Sequence, residues 1–304
     1  MAYTEPLDPA APPPDPDAET AAAKLRGMAY MLASTVSISG MNGSVQYLSH
    51  SMHVFEVAFF RQVVGAIFLL GVSLPKGLHH LRTRRLGTHL IRSVLNIGAL
   101  LTYFVGLSLE PLAKVVALSL TVPLFASLVA VIFLREPMNP RRWIAMGIGF
   151  AGALIILDPA HPSLSFGASM VLVSNVLWAV ALNIIKSLAR TETSVTISLY
   201  AAILMAPMAG VAALFVWQTP TALQLAWLVG IGVLGSIAQL CLSQALREAD
   251  VTLVLPIDFT KVVWASLIGY AAFGQVPDVW IFVGAPIIFG AVFYNAWSER
   301  RRRP

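Results

Sequence analysis

The sequence predicts an all-α polytopic membrane protein with ten transmembrane helices, and its hydropathy, its length and the placement of its basic residues support that prediction. Hydrophobic residues make up 57% of the 304 residues, charged residues make up 12%, and the mean hydropathy is +0.76. A soluble domain carries roughly 25% charged residues, so this chain has too few polar side chains to cover a soluble surface. The composition argues against a cytoplasmic enzyme, a nucleic-acid-binding protein and a secreted disulfide scaffold.

The first 24 residues differ from the rest of the chain. Six of the 19 prolines and five of the 15 acidic residues lie there, which indicates a disordered, acidic, proline-rich cytoplasmic tail. The segment lacks the basic start and apolar core of a signal peptide, so we expect the apolar stretch that follows to be retained as a helix. The remaining 280 of the 304 residues are enough for ten crossings at about 28 residues each.

Hydropathy divides this remainder into ten apolar segments, which prolines and other turn residues separate. The segments lie near residues 25–47, 54–74, 87–108, 112–134, 141–157, 166–187, 195–217, 222–246, 251–273 and 278–298.

Basic residues predict the orientation, because cytoplasmic loops are enriched in lysine and arginine. With the N-terminus inside, 17 of the 20 basic residues, Arg92 among them, fall on cytoplasmic flanks. The exceptions are Arg61, Lys114 and Lys261, which lie in or at the edge of predicted spans. We therefore expect both termini in the cytoplasm, and the pI of 9.6 reflects topology and lipid headgroups rather than nucleic acid.

The second half of the chain can be laid on the first with a shift of 139 or 140 residues. The matched pairs include Ala126 with Ala265, Ser127 with Ser266, Leu128 with Leu267, Thr121 with Thr260, and Ser34 with Ser174. Five helices in each half place the halves in opposite orientation, as in transporters built from inverted repeats around a central cavity. The predicted repeats are residues 25–160 and 161–298, and a basic cytoplasmic tail follows at 299–304.

Three short motifs resemble the EamA-type members of the drug/metabolite transporter superfamily: Glu56–Arg61, Phe133–Pro137 and Leu177–Ala179. The likeness covers about residues 25–298. It implies export of small metabolites across a bacterial-type inner (plasma) membrane, and the YddG-type amino-acid exporters are the branch that fits best. Gln275 stands where this family often carries a glutamate.

Polar residues that recur on single helical faces predict an interior cavity, because polar groups that face lipid are costly. Hydrogen bonds that only hold helices together are the alternative for each of them. The residues chosen as substrate contacts on this ground are Asn42, Gln46, Asn96, Tyr103, Trp178 and Gln239.

Charged residues inside the predicted spans are the other candidates for substrate binding. Asp258 and Lys261 are three residues apart, so they can pair on one face of a helix and offer both charges to a zwitterion. A purely structural ion pair is the alternative. Trp264 lies on the same face of that helix. In the second predicted span, Arg61 either pairs with Glu56 or faces an external vestibule.

Pro123 and Pro256 lie in the middle of their predicted spans, where proline removes a backbone hydrogen bond and bends a helix. We predict that they are hinges, and packing kinks without a mechanical role are the alternative.

Lys114 is expected to extend its amine to the membrane interface. Cys241 is the single cysteine, and the six histidines are scattered over predicted loops, so we expect no metal site and no cofactor.

These observations predict a secondary transporter that exports small polar metabolites, most simply amino acids, by alternating access. No phosphate-binding loop is visible, so ATP does not drive it directly, and proton coupling and oligomeric state are left open. An organic-anion or sugar-phosphate carrier that uses Arg61, Lys114 and Lys261 is the alternative within transport. A membrane receptor or scaffold is the alternative outside transport, and an enzyme is not expected because no catalytic group is recognisable.

Overall fold

A computed structural model describes residues 16–73, 83–134, 140–157, 164–188, 191–192, 194–249 and 251–300. Within these ranges the chain is helical and contains no strand. The helices are α1 (Pro16–Leu48), α2 (Val54–Ser73), α3 (Leu86–Leu109), α4 (Leu112–Ser119), α5 (Val122–Leu134), α6 (Pro140–Ile156), α7 (Phe166–Leu188), α8 (Ser194–Leu214), α9 (Ala222–Glu248), α10 (Val251–Asp258), α11 (Thr260–Phe273) and α12 (Val279–Arg300).

Seven stretches of the described chain are long and apolar enough to cross a membrane, and two shorter apolar helices lie at 143–156 and 279–295. Helix α1 is not among them, because serine, threonine, asparagine and glutamine recur along it. The count of ten crossings therefore stays a prediction. The predicted boundary between the halves at residue 160 and most of the motif Phe133–Pro137 lie outside the described residues.

Helix α1 begins at Pro16, inside the segment that we predicted to be a disordered tail. Proline is favoured in the first turn of a helix. The alanines at 21–23 have the highest helix propensity. Residues 1–15 and 301–304 of the two predicted tails lie outside the described residues.

Two of the predicted spans are broken near their middle. The span 112–134 is divided into α4 and α5, and the span 251–273 is divided into α10 and α11. Each break carries a threonine whose hydroxyl donates to the carbonyl three residues earlier: Thr121 to Leu118 at 2.8 Å, and Thr260 to Ile257 at 2.7 Å. The threonine side chain thereby adds a hydrogen bond to a carbonyl at the end of the preceding helix, and the Leu118 carbonyl also accepts from the backbone N–H of Thr121 at 3.0 Å.

The two prolines flank these breaks rather than bending a continuous helix. Pro123 lies in the first turn of α5, where no helical hydrogen bond is lost. Pro256 lies within α10, two residues before the helix ends at Asp258.

The main hydrophobic core runs through the centre of the bundle and includes Phe104, Leu107, Leu118 and Leu124, all fully buried. Helix α1 packs on α9, α3 on α7, α2 on α8 and α6 on α12. Each of these pairs joins a helix from the first half of the sequence to one from the second half, so the two halves share one interior.

Helix α3 is tied at its start to the turn between α7 and α8 by Thr83, Arg85, His89 and Glu192, which we call the α3 latch. His89 Nε2 lies 2.5 Å from Glu192 Oε2, and the Thr83 hydroxyl donates to the other carboxylate oxygen. Arg85 donates to the carbonyl of Ser187 at 3.0 Å. Burial raises the pKa of Glu192, but the hydrogen bonds from Thr83 and His89 and the neighbouring imidazole and guanidinium outweigh this effect and lower it.

The lowered pKa of Glu192 predicts an acid-sensitive latch. A carboxyl with a lowered folded pKa stabilises the protein above its unfolded pKa of about 4.3, and the contribution disappears as the pH falls through the folded pKa. We expect Glu192→Gln to lower Tm at pH 7 by on the order of 2–4 °C, and the difference from the native chain to shrink below about pH 4. Thermal unfolding in detergent across this pH range measures both effects.

Glu248→Gln is the matched control, because Glu248 pairs with Arg26, which is 60% exposed, and solvent screens such pairs. A pH-independent effect of Glu192→Gln, or an equal effect of the control, would contradict this role of the latch.

Close contact of α6 and α12 depends on two glycines. A Cβ on Gly284 would lie 2.5 Å from the backbone oxygen of Gly152, and a Cβ on Gly152 would lie 2.9 Å from the backbone oxygen of Gly284. Small residues let membrane helices approach in this way, so these two helices form a tight pair at the edge of the main core.

Substitution of Gly284 tests this packing. Gly284→Ala should destabilise the protein by about 1–3 kcal/mol, because the methyl group meets backbone rather than a side chain that can move. Gly290→Ala, on the same helix, places its Cβ where nothing lies within 4 Å, and it should be neutral or slightly stabilising. Thermal unfolding of both variants is the measurement, and equal Tm values would show that the contact is not required.

Candidate functional site

The polar face of α1 lies against the break between α10 and α11. The hydroxyls of Thr35 and Thr260 are 3.0 Å apart, and the Ser39 hydroxyl donates to the backbone oxygen of Lys261 at 3.2 Å. These contacts place the middle of α1 beside the residues that carry the predicted ion pair.

Asp258 and Lys261 form the expected ion pair across this break. Lys261 Nζ lies 2.7 Å from Asp258 Oδ2, and the two side chains remain 19% and 27% exposed, respectively. Trp264 lies one turn further along α11, and its buried indole N–H has no acceptor within the described residues. The ion pair is therefore partly accessible, and a buried donor without a partner lies one helical turn away.

Asn42 and Tyr103 are brought together one turn further along α1. The Asn42 side-chain amide donates to the Tyr103 hydroxyl at 3.0 Å. Both residues lie six positions before the end of their helices, at Leu48 and Leu109. The Asn42 carbonyl oxygen is buried and makes no hydrogen bond in the described part of the chain.

Gln46 is largely occupied by other protein groups. Its amide donates to the backbone oxygens of Leu107 at 3.1 Å and Glu110 at 2.8 Å, and its oxygen accepts from Gln275 at 3.3 Å. Gln275 also accepts from the backbone N–H of Leu112 at 3.0 Å. An amide can both donate and accept whereas an ionised carboxylate only accepts, so glutamine suits position 275 in this chain.

Arg61 has no carboxylate partner among the described residues. Its guanidinium donates to the Gln62 side chain at 2.5 Å and lies 3.4 Å from the Met41 sulfur. A Cβ on Gly235 would come within 3.4 Å of the guanidinium, so this glycine makes room for it. Glu56 instead accepts from the backbone N–H of Gln218, and the predicted alternative of an Arg61–Glu56 pair is not formed.

Lys114 is paired rather than merely extended to the membrane interface. Its amine lies 3.0 Å from Glu110 Oε2. The other oxygen of Glu110 accepts from the Ser165 hydroxyl, which in turn accepts from the backbone N–H of Ala168 in the first turn of α7. This network links α3, α4 and α7.

Trp178 and Gln239 are exposed although they lie on faces that are otherwise buried. Trp178 is 37% exposed, and Ser174 and Asn175 on the same face of α7 are only 5% and 2% exposed. Gln239 is exposed on the face of α9 that buries Gly235 and Ser236. Both side chains are therefore accessible although their neighbours on the same helical face are buried.

The buried face of α3 is where the sequence was least informative. Asn96 is buried as expected, and its carbonyl oxygen has no partner in the described chain. Arg92 was assigned to a cytoplasmic flank, although its spacing also put it on one helical face with Asn96 and Tyr103, and His89 was assigned to a loop. Both are buried within α3. Their spacing of three residues, in step with Ser93 and Asn96, is the signal that could have revealed them.

Comparisons with known proteins match this architecture. The sequence model of the EamA-like transporter family matches residues 25–158 and again 165–297. An S-adenosylmethionine uptake transporter of Rickettsia bellii is 30% identical over 275 residues, which cover 90% of this chain and 94% of that protein. A riboflavin transporter of Rhizobium johnstonii is 32% identical over 279 residues, which cover 91% and 92% of the two chains.

Two further similarities extend the comparison. A pseudopaline exporter, CntI, of Pseudomonas aeruginosa is 27% identical over 268 residues, which cover 86% of this chain and 93% of that one. A solved structure titled "Crystal structure of protein" shares the fold with a TM-score of 0.61 at 20% identity, over 93% of this chain and 99% of that one. The chain therefore belongs to the EamA-like transporter family of the drug/metabolite transporter superfamily and is a multi-pass membrane transporter, not an enzyme.

Proposed function

We propose that the chain is a secondary transporter for a zwitterionic metabolite, an amino acid or an amino-acid derivative, which binds beside the break between α10 and α11. The observation that carries this proposal is the partly open Asp258–Lys261 pair at 2.7 Å. An ion pair that is partly withdrawn from water carries a desolvation cost, which further polar contacts offset. A zwitterion compensates both charges, because its carboxylate meets Lys261 and its ammonium meets Asp258.

Three aromatic side chains among the candidate contacts suit a substrate that also carries a ring. Trp264 follows Lys261 on α11, Trp178 is partly exposed on an otherwise buried face of α7, and Tyr103 contacts Asn42 of α1. One relative is named for S-adenosylmethionine, a compound that joins an amino-acid zwitterion to an aromatic base. S-adenosylmethionine and methionine are therefore the first substrates to test, and riboflavin is the uncharged comparison.

Matched hydrogen bonds support the proposal that the two halves are inverted repeats. The Ser34 hydroxyl donates to the carbonyl of Ala238 at 2.8 Å, and the Ser174 hydroxyl donates to the carbonyl of Ala99 at 2.7 Å. The serines are 140 residues apart and the alanines 139. The family model that matches the chain twice points the same way.

At each of the two breaks, the hydroxyl of a threonine contacts a polar side chain of a neighbouring helix. Thr260 contacts the hydroxyl of Thr35 on α1, and Thr121 accepts from the side-chain amide of Asn175 on α7 at 3.0 Å. We place the hinges of alternating access at these breaks, with Pro123 and Pro256 beside them. Rocking of the halves would then expose the site to either side of the membrane in turn.

The proposal also covers the direction of transport, the orientation of the chain in the membrane and the coupling of transport to protons. The basic flanks support cytoplasmic termini in an inner membrane. One relative is named for uptake and another for export, so the predicted export direction is tested by counterflow in vesicles, and proton coupling by an imposed pH gradient. Lys114 and Lys261 each have a carboxylate partner, which weighs against the organic-anion carrier that would use their charges.

Substitutions in the ion pair test the proposed substrate site. In liposomes preloaded with unlabelled substrate, Asp258→Asn and Lys261→Gln should each lower exchange of labelled S-adenosylmethionine or methionine by roughly tenfold or more, as expected for a lost charged hydrogen bond of about 1.5–3 kcal/mol. Exchange equal to that of empty vesicles over a broad amino-acid panel would contradict the substrate class.

A charge-swapped double variant separates binding from a structural role. Asp258→Lys with Lys261→Asp keeps an ion pair but reverses its polarity, so transport should stay low while the folded yield recovers. Full recovery of transport would show that the pair only stabilises the helix break. Arg26→Gln, which breaks the surface pair with Glu248, is the matched control and should leave transport unchanged.

A further inference from the structure

We propose that the buried face of α3 formed by His89, Arg92, Ser93 and Asn96, which we call the α3 polar face, is a second ligand site that binds a small oxyanion. The four residues lie at offsets of 0, 3, 4 and 7, so they share one side of the helix. None of them is more than 6% exposed. The site itself does not depend on the proposed substrate, although its use during transport rests on the proposed function.

Each of these side chains has a buried polar atom without a partner in the described chain. The atoms are His89 Nδ1, Arg92 Nε, Ser93 Oγ and Asn96 Oδ1. Buried polar groups are almost always hydrogen-bonded, and each exception requires an explanation. Four exceptions within two turns of one helix indicate a polar occupant between α3 and its neighbours.

The charge of Arg92 identifies the occupant as an anion. Arg92 donates from Nη1 to the backbone oxygen of Ile197 at 2.8 Å, and no carboxylate pairs with it among the described residues. Glu192, the carboxylate of the α3 latch, is already engaged by Thr83 and His89. A buried guanidinium without a counter-charge is strongly unfavourable.

The donors suit an oxyanion in particular. A guanidinium matches the two oxygens of a carboxylate or phosphate group, and the Ser93 hydroxyl is a second donor. The Asn96 amide presents either its oxygen or its NH₂ group after rotation, because the two ends have nearly the same shape. Water alone would satisfy the hydrogen bonds but would leave the charge of Arg92 without compensation.

Its position links the α3 polar face to the candidate substrate site. His89 stacks on Tyr200 of α8 at 4.8 Å, at the end of α3 that the latch holds. Seven residues beyond Asn96, the same helical face reaches Tyr103, which contacts Asn42. An anion bound at Arg92 would therefore lie between the latch and Tyr103 on one face of α3.

Asn96→Asp is the sharpest test, because it supplies the missing negative charge one turn from Arg92 without changing the size of the side chain. The experiment measures thermal unfolding of the full-length protein in an uncharged detergent, at constant ionic strength, with sodium acetate, inorganic phosphate or chloride added. Acetate or phosphate should raise the Tm of the native chain saturably, by on the order of 3 °C, and chloride should raise it less. Asn96→Asp should raise Tm without added anion and should abolish the response.

Arginine variants provide the second arm. Arg92→Gln should lose the response, and Arg92→Lys should retain part of it, because lysine keeps the charge but not the planar fork. Arg247→Gln is the matched control, since Arg247 is exposed at the end of α9, and it should respond like the native chain. If Arg92→Gln does not fold, the Asn96→Asp result decides.

Vesicles of different lipid composition distinguish a lipid phosphate from a free oxyanion as the bound group. Stabilisation by phosphatidylglycerol vesicles over phosphatidylcholine vesicles, without any effect of free acetate or phosphate, would assign the site to a lipid phosphate. The reverse result would assign it to a free oxyanion. A lower Tm for Asn96→Asp together with an unchanged response to all three salts would overturn the proposal and leave water as the occupant. Failure of S-adenosylmethionine exchange would affect only the proposed function.

Discussion

The rest of this structure depends on how two interrupted helices are satisfied inside a membrane, where no water is available to pair with a freed carbonyl. At the first break, the carbonyl of Leu118 accepts from Thr121 at 2.8 Å and from Asn175 at 2.9 Å. At the second break, the carbonyl of Ile257 accepts from the Thr260 hydroxyl at 2.7 Å, and that hydroxyl lies 3.0 Å from the hydroxyl of Thr35 on α1. The helices that cross the breaks therefore carry polar faces because they must supply these hydrogen bonds, and the candidate site forms beside them.

The two breaks are alike in their supporting contacts but differ in their charge. With a shift of 139 residues, Asp258 and Lys261 correspond to Ser119 and Val122, so the ion pair has no counterpart in the first half. One break thus serves mainly to hold α4 and α5 against α7, and the other also carries charged groups. This asymmetry fits the proposal that the ligand binds mainly at the second break.

Hydropathy and helical spacing located much of the candidate site, because both properties repeat along the chain. The polar residues that recur on one face of α1 and of α3 indicated Asn42 and Tyr103, which are in contact. The spacing of Asp258 and Lys261 indicated their ion pair. The same spacing could not tell that the amide of Gln46 is occupied by backbone oxygens. The spacing of polar residues along a helix shows which of them share a face, but it does not show which groups of other helices contact that face.

The sequence by itself determined the membrane class, the helical spans and the likeness between the two halves, because these follow from composition, periodicity and a shift that can be read along one dimension. The tertiary structure decided which polar groups are already paired and which are not. Lys114 is paired with Glu110, whereas Arg61 and the buried Arg92 have no carboxylate partner among the described residues. Compensation of a buried charge depends on distances of a few ångströms between helices far apart in the chain, and no pattern within one helix records those distances.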